Sequence, residues 1–308
     1  MILITGATGL TGSAVVREFV RQGRPARVLL RNPAKSRAFA AAPGIETVEA
    51  DLLVPGTLAA ALDGIDTVIL ISGADDRMVE AQCNLVDAAV TVGVNHIVKV
   101  SGMGADPHSP FRFGRYHAQI ERRLQAADVG WTMLRPSQFM QVYYREIPTM
   151  LADGTFAQPL GDTRLAPIDI EDIAKVAYAT ATGGGHRSAI YEMTGPDALT
   201  MPEICAVLTS VVGNPIRYVD IPPEDKRRRL VEAGLPPRFA DDLDDLFRLR
   251  RDGGPESQVA VEVFEQLDIR PTSFAEFARR SAMIFRGTST PDQLWASGWQ
   301  KTDAGVVQ

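Results

Sequence analysis

Three glycines near the start of the chain constrain its fold more than any other feature of the sequence. They lie at positions 6, 9 and 12 of the segment ILITGATGLTGSAVV, residues 2–16, between an apolar run that fits a buried strand and residues with helical spacing. In such a turn the backbone approaches a diphosphate, and the N–H groups that begin the helix favour an anion. The segment predicts a dinucleotide site, with an ordinary glycine-rich turn as the alternative. The residues expected at the cofactor are Gly6, Thr8, Gly9, Leu10, Thr11 and Gly12.

Strand-like and helix-like segments alternate along the first two thirds of the chain. The predicted strands are Ile2–Thr5, Ala26–Arg31, Ile45–Asp51, Thr67–Ser72, His96–Ser101, Trp131–Arg135 and Ala189–Thr194. The predicted helices cover 12–22, 34–42, 57–63, 77–92, 115–127, 138–152 and 171–182. Strict alternation of this kind is typical of a parallel sheet with helices on both faces. We therefore expect an α/β fold, a doubly wound (Rossmann) parallel sheet, with its ligand at the carboxyl ends of the strands.

The alternation ends near residue 196, which predicts a second, smaller α/β part that holds the substrate. The expected division is a dinucleotide-binding domain over 1–152 with a returning strand near 186–196, a substrate-binding or lid part over 153–285, and a loosely ordered tail over 286–308. The second part is predicted to contain a helix Met201–Val212, a strand Ile216–Ile221 and charged helices over 223–251 and 255–285. The segment around Phe239 mixes apolar and charged residues, as either a lid over the substrate cleft or a helix packed on the domain would.

Composition excludes several classes of partner. The chain has 45% hydrophobic and 23% charged residues, which is typical of a globular protein, and its net charge of -6 offers no basic surface for a nucleic acid. No apolar stretch approaches the about 20 residues of a membrane span. The chain enters a strand at once, so we expect no signal peptide, no membrane partner and a cytoplasmic location. The two cysteines have no metal-ligand spacing, so no metal site is predicted. We expect a monomer or homodimer.

The end of the second predicted strand indicates which dinucleotide binds. A site for NAD usually has an acid there, which accepts a hydrogen bond from the ribose 2′-hydroxyl. This chain has Arg31 at that position and Lys35 one helical turn later, with no acid between Glu18 and Glu46. Two cations suit a 2′-phosphate, so NADPH is the predicted cofactor, and the alternative is two ordinary surface charges. The third and fourth strands are expected to add Asp51, Leu52, Ser72 and Gly73 to the cofactor site.

Several longer motifs of this chain resemble those of a known family in their order and spacing. They are TGATGLTGSAVV, VLLRNPAK, EADL, HIVKVSGMGA, ERRLQAADVGWTMLRPSQFMQ, LAPIDIEDIAKVA, YEMTGPDALTMPEI and IRPTSFAEFARR. With these motifs, which run from residue 2 to about 280, the chain resembles NmrA-like members of the atypical short-chain dehydrogenase/reductase superfamily. The resemblance implies an NADP(H)-binding Rossmann protein. Relatives of this kind include quinone and triphenylmethane-dye reductases, aromatic-substrate reductases of secondary metabolism, and cofactor sensors without enzyme activity.

The tyrosine–lysine pair used by standard members of the wider superfamily is incomplete in this chain. In those members a lysine four residues after a tyrosine, helped by a serine at the end of the fifth strand, makes the tyrosine a proton donor. Here Tyr116 is followed four positions later by Ile120, while Ser101 is present. Tyr116 is therefore either a catalytic residue or a tyrosine that packs in the core.

A histidine beside this tyrosine is a second candidate proton donor. His117 and Glu121 lie four positions apart on one helix face, and the quinone-reductase relatives have these residue types at this spacing, which implies His117 near the nicotinamide. The alternative is a structural histidine paired with Glu121. Lys99 is a lone lysine in the apolar fifth strand, and the sequence alone does not assign it the role of the missing lysine. Ser101 and Pro136, at the ends of the fifth and sixth strands, complete the predicted cofactor residues.

Two loops that follow carboxyl ends of strands are rich in aromatic and thioether side chains. The predicted substrate residues are Met103, Phe111, Phe113, Gln138, Phe139, Met140 and Tyr143. Loops at this edge of a sheet carry ligands, and some of these side chains are expected to fill the core instead. The predicted function is an NADPH-dependent reductase that passes hydride to a quinone, enone or ketone of a planar aromatic substrate, for example of polyketide type. The alternative is a non-catalytic regulatory protein that senses NADP(H).

Overall fold

A parallel sheet of seven strands forms the centre of the protein, in the order β3-β2-β1-β4-β5-β6-β8. The structure is a computed structural model that describes residues 1–290. The strands are β1 Ile2–Ile4, β2 Ala26–Leu30, β3 Ile45–Glu49, β4 Thr67–Leu70, β5 His96–Val100, β6 Gly130–Pro136, β7 Thr155–Gln158, β8 Ala189–Met193 and β9 Arg217–Asp220. The predicted doubly wound α/β fold is confirmed.

Helices cover both faces of the sheet and build most of the remaining chain. They are α1 Leu10–Arg21, α2 Leu58–Ala61, α3 Met78–Val92, α4 Arg112–Gln125, α5 Ile147–Asp153, α6 Ile170–Thr182, α7 Met201–Val212, α8 Pro223–Glu232, α9 Pro237–Arg251, α10 Glu262–Gln266, α11 Phe274–Arg280 and α12 Ala282–Phe285. Short 3-10 helices lie at Pro33–Phe39, Pro55–Thr57, Met140–Glu146 and Pro255–Ser257. No helix within residues 1–290 is long and apolar enough to cross a bilayer.

Some predicted helices differ from the observed ones. The segment 34–42 forms a 3-10 helix, and 138–152 divides into a 3-10 helix and α5. The long charged segment 223–251 breaks into α8 and α9, because Gly234 has φ +95° and Pro236 removes a backbone donor. The short strand β7 was not predicted at all, since TFAQ is too short to show a period.

Two apolar layers hold the helices on the sheet. On one face, Val15 and Phe19 of α1 pack with Ile173 of α6 against β1 and β2. On the other face, Leu85 of α3 and Leu124 of α4 pack against β4 and β5. All four residues of β4 are buried, which explains why its sequence TVIL is apolar without alternation.

A second, smaller core lies where the chain leaves the sheet. There β7 and β9 form a two-stranded parallel sheet, and Phe156, Leu208 and Phe277 pack in the cluster beside it. The chain crosses between the two cores more than once, since α6 and α10 of the predicted 153–285 part pack with the large sheet, and β8 joins that sheet as the predicted returning strand. The division at residue 152 therefore stays a prediction about which part of the chain binds the cofactor and which part binds the substrate. Most of the predicted tail, residues 291–308, lies outside the described residues.

The order of the strands also places the ligand edge. From β1 the chain proceeds to β2 and β3 on one side, and then returns to β4 on the other side of β1. Such a reversal opens a crevice at the carboxyl ends of the strands, where ligands of doubly wound sheets bind. The glycine turn after β1 lies at this crevice.

Candidate functional site

A cleft of about 610 Å³ opens at the carboxyl ends of β1, β2, β3 and β4. Among the predicted cofactor residues, those that line it are Gly6, Thr8, Gly9, Leu10, Thr11, Gly12, Arg31, Lys35, Asp51, Leu52, Ser72 and Gly73. Ser101 and Pro136 do not line it. A larger groove, about 1000 Å³, lies at the opposite edge, where α1 and α6 end. The negative ends of two helix dipoles make that groove unsuited to a diphosphate.

A side chain at each of the three glycines of the turn would have a different structural effect. Gly6 has φ +61°, and a Cβ there would lie 2.8 Å from the carbonyl oxygen of Ile71. A Cβ on Gly12 would lie 2.1 Å from the carbonyl oxygen of Gly6, so this glycine lets helix and strand pack. Gly9 has extended backbone, and its Cβ would meet only the Gly6 oxygen, at 3.3 Å. The fold therefore requires Gly6 and Gly12, while Gly9 keeps a wall of the cleft clear.

The beginning of α1 is suited to hold a diphosphate. Gly9 is its N-cap, no side chain within the described chain caps it, and its first turn contains no acid. The helical hydrogen bonds begin with the N–H of Ser13, which donates to the Gly9 carbonyl at 3.0 Å. The N–H groups of the preceding first-turn residues, which line the cleft, are therefore available to an anion together with the positive end of the dipole.

The far end of the cleft carries the two predicted cations. Arg31 is exposed and Lys35 is half-buried, and both line the cleft after β2. Across from them the Asp51 carboxylate accepts the N–H of Leu53 at 2.9 Å, which holds the turn after β3. The residues present thus fit a dinucleotide whose adenosine carries a phosphate at this end.

Ser72 is positioned by a residue that the sequence did not single out. Gln82 of α3 is 1% exposed, and its Nε2 donates to Ser72 Oγ at 2.7 Å. The Oε1 atom of Gln82 has no hydrogen-bond partner among residues 1–290. A polar side chain on the buried face of a helix is the signal that identifies it, because such a group needs a partner.

The other end of the cleft is apolar and aromatic. Met78, Phe139, Val142 and Phe239 line it together with Arg145, whose pKa burial lowers to about 10. Of the predicted substrate residues only Phe139 lines this cleft in the described chain. Phe239 and Arg145 were not predicted as site residues, because they come from elements whose approach to the sheet has no signature in the local sequence.

Several predicted substrate residues lie away from the cleft wall. Met140 and Tyr143 are 1% exposed and pack in the second core, where the Tyr143 ring lies 5.5 Å from that of Phe156, and burial raises the pKa of Tyr143. Phe113 is 3% exposed, in a cluster with Met78 and Ile120. Met103, Phe111 and Gln138 are half-buried. Their position corrects the expectation for Phe113, Met140 and Tyr143, because aromatic character alone does not distinguish a core from a cleft.

A polar cluster lies behind the end of β5. Ser101 donates from Oγ to Glu121 Oε1 at 2.6 Å, so its hydroxyl proton is used inside the protein. Arg135 of β6 donates to both oxygens of Glu121, at 3.0 and 2.5 Å. His117 lies 2.9 Å, through Nδ1, from Nζ of Lys99. The alternative of a His117–Glu121 pair is therefore wrong, since Arg135 and Ser101 occupy the carboxylate.

Tyr116 is half-buried in an aromatic cluster. Its ring lies 5.8 Å from that of Phe113, edge to face, and the guanidinium of Arg112 lies 5.5 Å from its centroid. These contacts give the ring a packing function, which keeps both predicted roles for Tyr116 open.

Helix α9 is bound across the aromatic end of the cleft by ion pairs. Arg112 donates from Nε to Asp242 Oδ1 at 2.8 Å and also contacts Asp76, while Arg238 contacts Asp76 at 2.6 Å. The side chains of Arg112 and Asp242 are only 11% and 7% exposed. These contacts hold Phe239 of α9 against Phe113, with ring centroids 5.9 Å apart. The arrangement fits a lid over the cleft.

The buried ion pair of Arg112 and Asp242 is expected to stabilise the protein more than an exposed ion pair of the same helix does. Asp242→Asn removes the charge that pairs with a desolvated guanidinium, so we expect the free energy of unfolding to fall by about 1–3 kcal/mol. Urea unfolding measures it. The matched control is Asp241→Asn, whose partner Arg227 lies 2.5 Å away on the surface with side chains 40% and 56% exposed. That loss should stay below about 1 kcal/mol. Equal losses in the two variants would contradict a stabilising role for the buried ion pair of Arg112 and Asp242.

Comparison with known proteins gives the chain its family. A sequence model of the NmrA-like family matches residues 1–278. The chain is 36% identical over 288 residues to an NAD(P)H azoreductase of Xenophilus azovorans, covering 92% of this chain and 99% of the relative.

Solved structures agree with this match. An NADPH-dependent quinone oxidoreductase of Escherichia coli, complexed with NADPH, superposes with a TM-score of 0.83 at 30% identity, over 91% of this chain and 99% of that one. A triphenylmethane reductase of Citrobacter sp. complexed with NADP(H) superposes with a TM-score of 0.82 at 22% identity, over 92% and 100% of the two chains, and shows the shared fold. The protein therefore belongs to the NmrA-like family, as the motifs of its sequence predict.

Proposed function

We propose that this protein is an NADPH-dependent reductase that passes hydride to a quinone, enone or ketone of a planar aromatic compound. Its NADPH-dependent oxidoreductase activity rests on its similarity to the azoreductase and the quinone oxidoreductase. One observation in the structure carries the finer proposal. One cleft joins two cations and a helix N-terminus that no side chain of residues 1–290 caps, at one end, to Phe139 and Phe239 at the other.

Different residues of this cleft would bind different parts of the cofactor and the acceptor. The first turn of α1 would hold the diphosphate, Arg31 and Lys35 the 2′-phosphate, and Ser72 the middle of the cofactor. When bound, NADPH supplies the hydride. The apolar wall of Met78, Phe139 and Phe239 would align a flat acceptor and exclude water.

A panel of acceptors tests the proposal. Quinones, enones, aromatic ketones and an azo dye are mixed with the protein and NADPH, and the loss of NADPH absorbance is followed. The azo dye is included because a relative is an azoreductase. We expect turnover with at least one quinone or enone. Tight NADPH binding without turnover on any acceptor would favour the non-catalytic NADP(H) sensor instead.

We further expect the protein to be a monomer or homodimer that acts in the cytoplasm on a small-molecule acceptor. Sedimentation would give the oligomeric state.

Removal of the tyrosine hydroxyl is expected to have little effect. Tyr116 lacks a lysine four positions later and packs on Phe113 and Arg112, so Tyr116→Phe should retain most of the kcat. Loss of a general acid costs about 10²- to 10⁴-fold in rate. The measurement is kcat and KM on the best acceptor of the panel. A hundredfold fall in kcat with the fold intact would show that Tyr116 donates the proton unaided.

A further inference from the structure

Lys99 is a buried lysine whose side chain points to a histidine. It lies on β5, is 0% exposed, and its Nζ is 2.9 Å from His117 Nδ1 and 3.3 Å from the carbonyl oxygen of Val100. A charged lysine donates hydrogen bonds and accepts none. While Lys99 is charged, Nδ1 of His117 is therefore the acceptor in this contact.

This contact determines where the ring proton of His117 lies. When Nδ1 accepts a hydrogen bond in a neutral imidazole, the proton lies on Nε2. Burial, followed by the charges of Lys99 and Arg135, holds the pKa of His117 well below its ordinary value, so the ring is neutral. His117 is thus held as an Nε2–H donor.

The Nε2 edge of the ring faces the loop that follows β5. A Cβ on Gly102 would lie 3.4 Å from Nε2 and 3.2 Å from Cδ2, so a larger residue at this position would cover that edge. Gly102 follows Ser101 at the carboxyl edge of the sheet, the edge at which the cleft opens. The donor therefore lies on the ligand side of β5.

We propose that Lys99 is a positioning residue that holds His117 as a neutral Nε2–H donor and resupplies its proton during reduction. The pair would replace the tyrosine–lysine pair that Ile120 interrupts. This inference rests on the proposed reductase function and adds to it His117 as the group that donates a proton to the reduced acceptor.

The proton transfers balance. The oxygen of an acceptor that has received hydride takes the proton from Nε2 of His117, and Nδ1 takes one from Nζ of Lys99. The lysine is left as a neutral amine. Nε2 then takes a proton from water and Nδ1 returns its proton to Nζ, which restores the Nε2–H ring and the charged lysine. The acceptor gains one hydride and one proton in total, and the two residues return to their starting state.

The charge on Lys99 allows such an exchange near neutral pH. Burial lowers its pKa to about 7, opposed by the charge of Glu121 on α4 and supported by that of Arg135 on β6, while Cys83 on α3 is a minor influence that raises it. Glu121 is hydrogen-bonded to Arg135 and Ser101, while Nζ of Lys99 contacts Nδ1 of His117. The proton is present below pH about 7 and is lost as the pH rises through this value. The kcat should therefore fall on the alkaline side of about 7.

Nitrogen NMR of the histidine rings tests the positioning without any turnover. The chain has 4 histidines, so the signals can be assigned by substitution. We expect His117 in the wild-type protein to be the Nε2–H tautomer, and Lys99→Met to give a mixture of tautomers or a ring that titrates at higher pH. His96, whose Nε2 bonds Thr132 at 2.9 Å, is the internal control and should not change. A wild-type His117 with its proton on Nδ1 overturns the proposal, whether or not the variant folds.

The pH profile of kcat tests the proton supply. Lys99→Met should lower kcat by about 10²-fold, the lower bound for loss of an acid–base contribution, and remove the alkaline fall above pH about 7. The control is Lys226→Met, which removes another buried lysine, paired to Glu146 at 2.7 Å, and should keep the fall. An unchanged profile in Lys99→Met overturns the proposal. If the wild-type protein reduces no acceptor, the proposed function fails, while the tautomer result still decides whether Lys99 positions His117.

Discussion

Gly9→Val is expected to abolish NADPH binding while the protein stays folded. A Cβ at this position meets only the Gly6 oxygen, at 3.3 Å, so the fold should survive if this carbonyl shifts by a few tenths of an ångström, while the branched side chain occupies the wall of the cleft that should approach the diphosphate. We expect affinity to fall at least about 100-fold, equivalent to about 2.7 kcal/mol. Calorimetric titration with NADPH measures the loss, and circular dichroism checks the fold.

Two other glycines serve as controls for this result. A Cβ on Gly56 would have no atom of the described chain within 4 Å apart from its chain neighbours, so Gly56→Val should bind NADPH normally. Gly12→Ala puts a methyl group 2.1 Å from the Gly6 oxygen and should destabilise the protein itself. Normal NADPH binding by Gly9→Val would mean that the glycine segment is an ordinary turn.

Arg31→Ala is expected to remove the preference for NADPH over NADH. A charge-assisted hydrogen bond contributes about 1.5–3 kcal/mol, so affinity for NADPH should fall roughly 10- to 150-fold while affinity for NADH hardly changes. The guanidinium lines the cleft where a 2′-phosphate would lie. The acid that binds the ribose 2′-hydroxyl in NAD sites is missing, since no acid lies between Glu18 and Glu46. Titration of both proteins with both cofactors gives the four dissociation constants.

The matched control for this variant is Arg37→Ala. Arg37 is exposed on the same 3-10 helix as Lys35 but does not line the cleft, so both affinities should remain those of the wild-type protein. An equal fall for Arg37→Ala would indicate a general loss of positive charge rather than a phosphate contact. Equal wild-type affinity for NADH and NADPH would contradict the role of Arg31.

The lining of the cleft was largely predictable because its residues occupy fixed places after successive strands. In a parallel sheet the carboxyl ends meet at one edge, so Arg31, Asp51 and Ser72 converge with the glycine turn once the strands are recognised. The strands were recognisable from their apolar runs and turn residues alone. Ser101 belongs to the same pattern, but its hydroxyl donates a hydrogen bond to Glu121 in the core, a long-range contact that spacing does not reveal.

The sequence by itself determined the doubly wound sheet, the glycine turn and the basic end of the cleft, since each depends on local periodicity or on residues a few positions apart. Only the tertiary structure decided which side chains complete the site. It brought Phe239 of α9 to the cleft, buried Tyr143 in a second core, and paired His117 with Lys99 instead of Glu121. These outcomes depend on contacts between distant elements, where burial requires each polar group to find a partner and several partners compete.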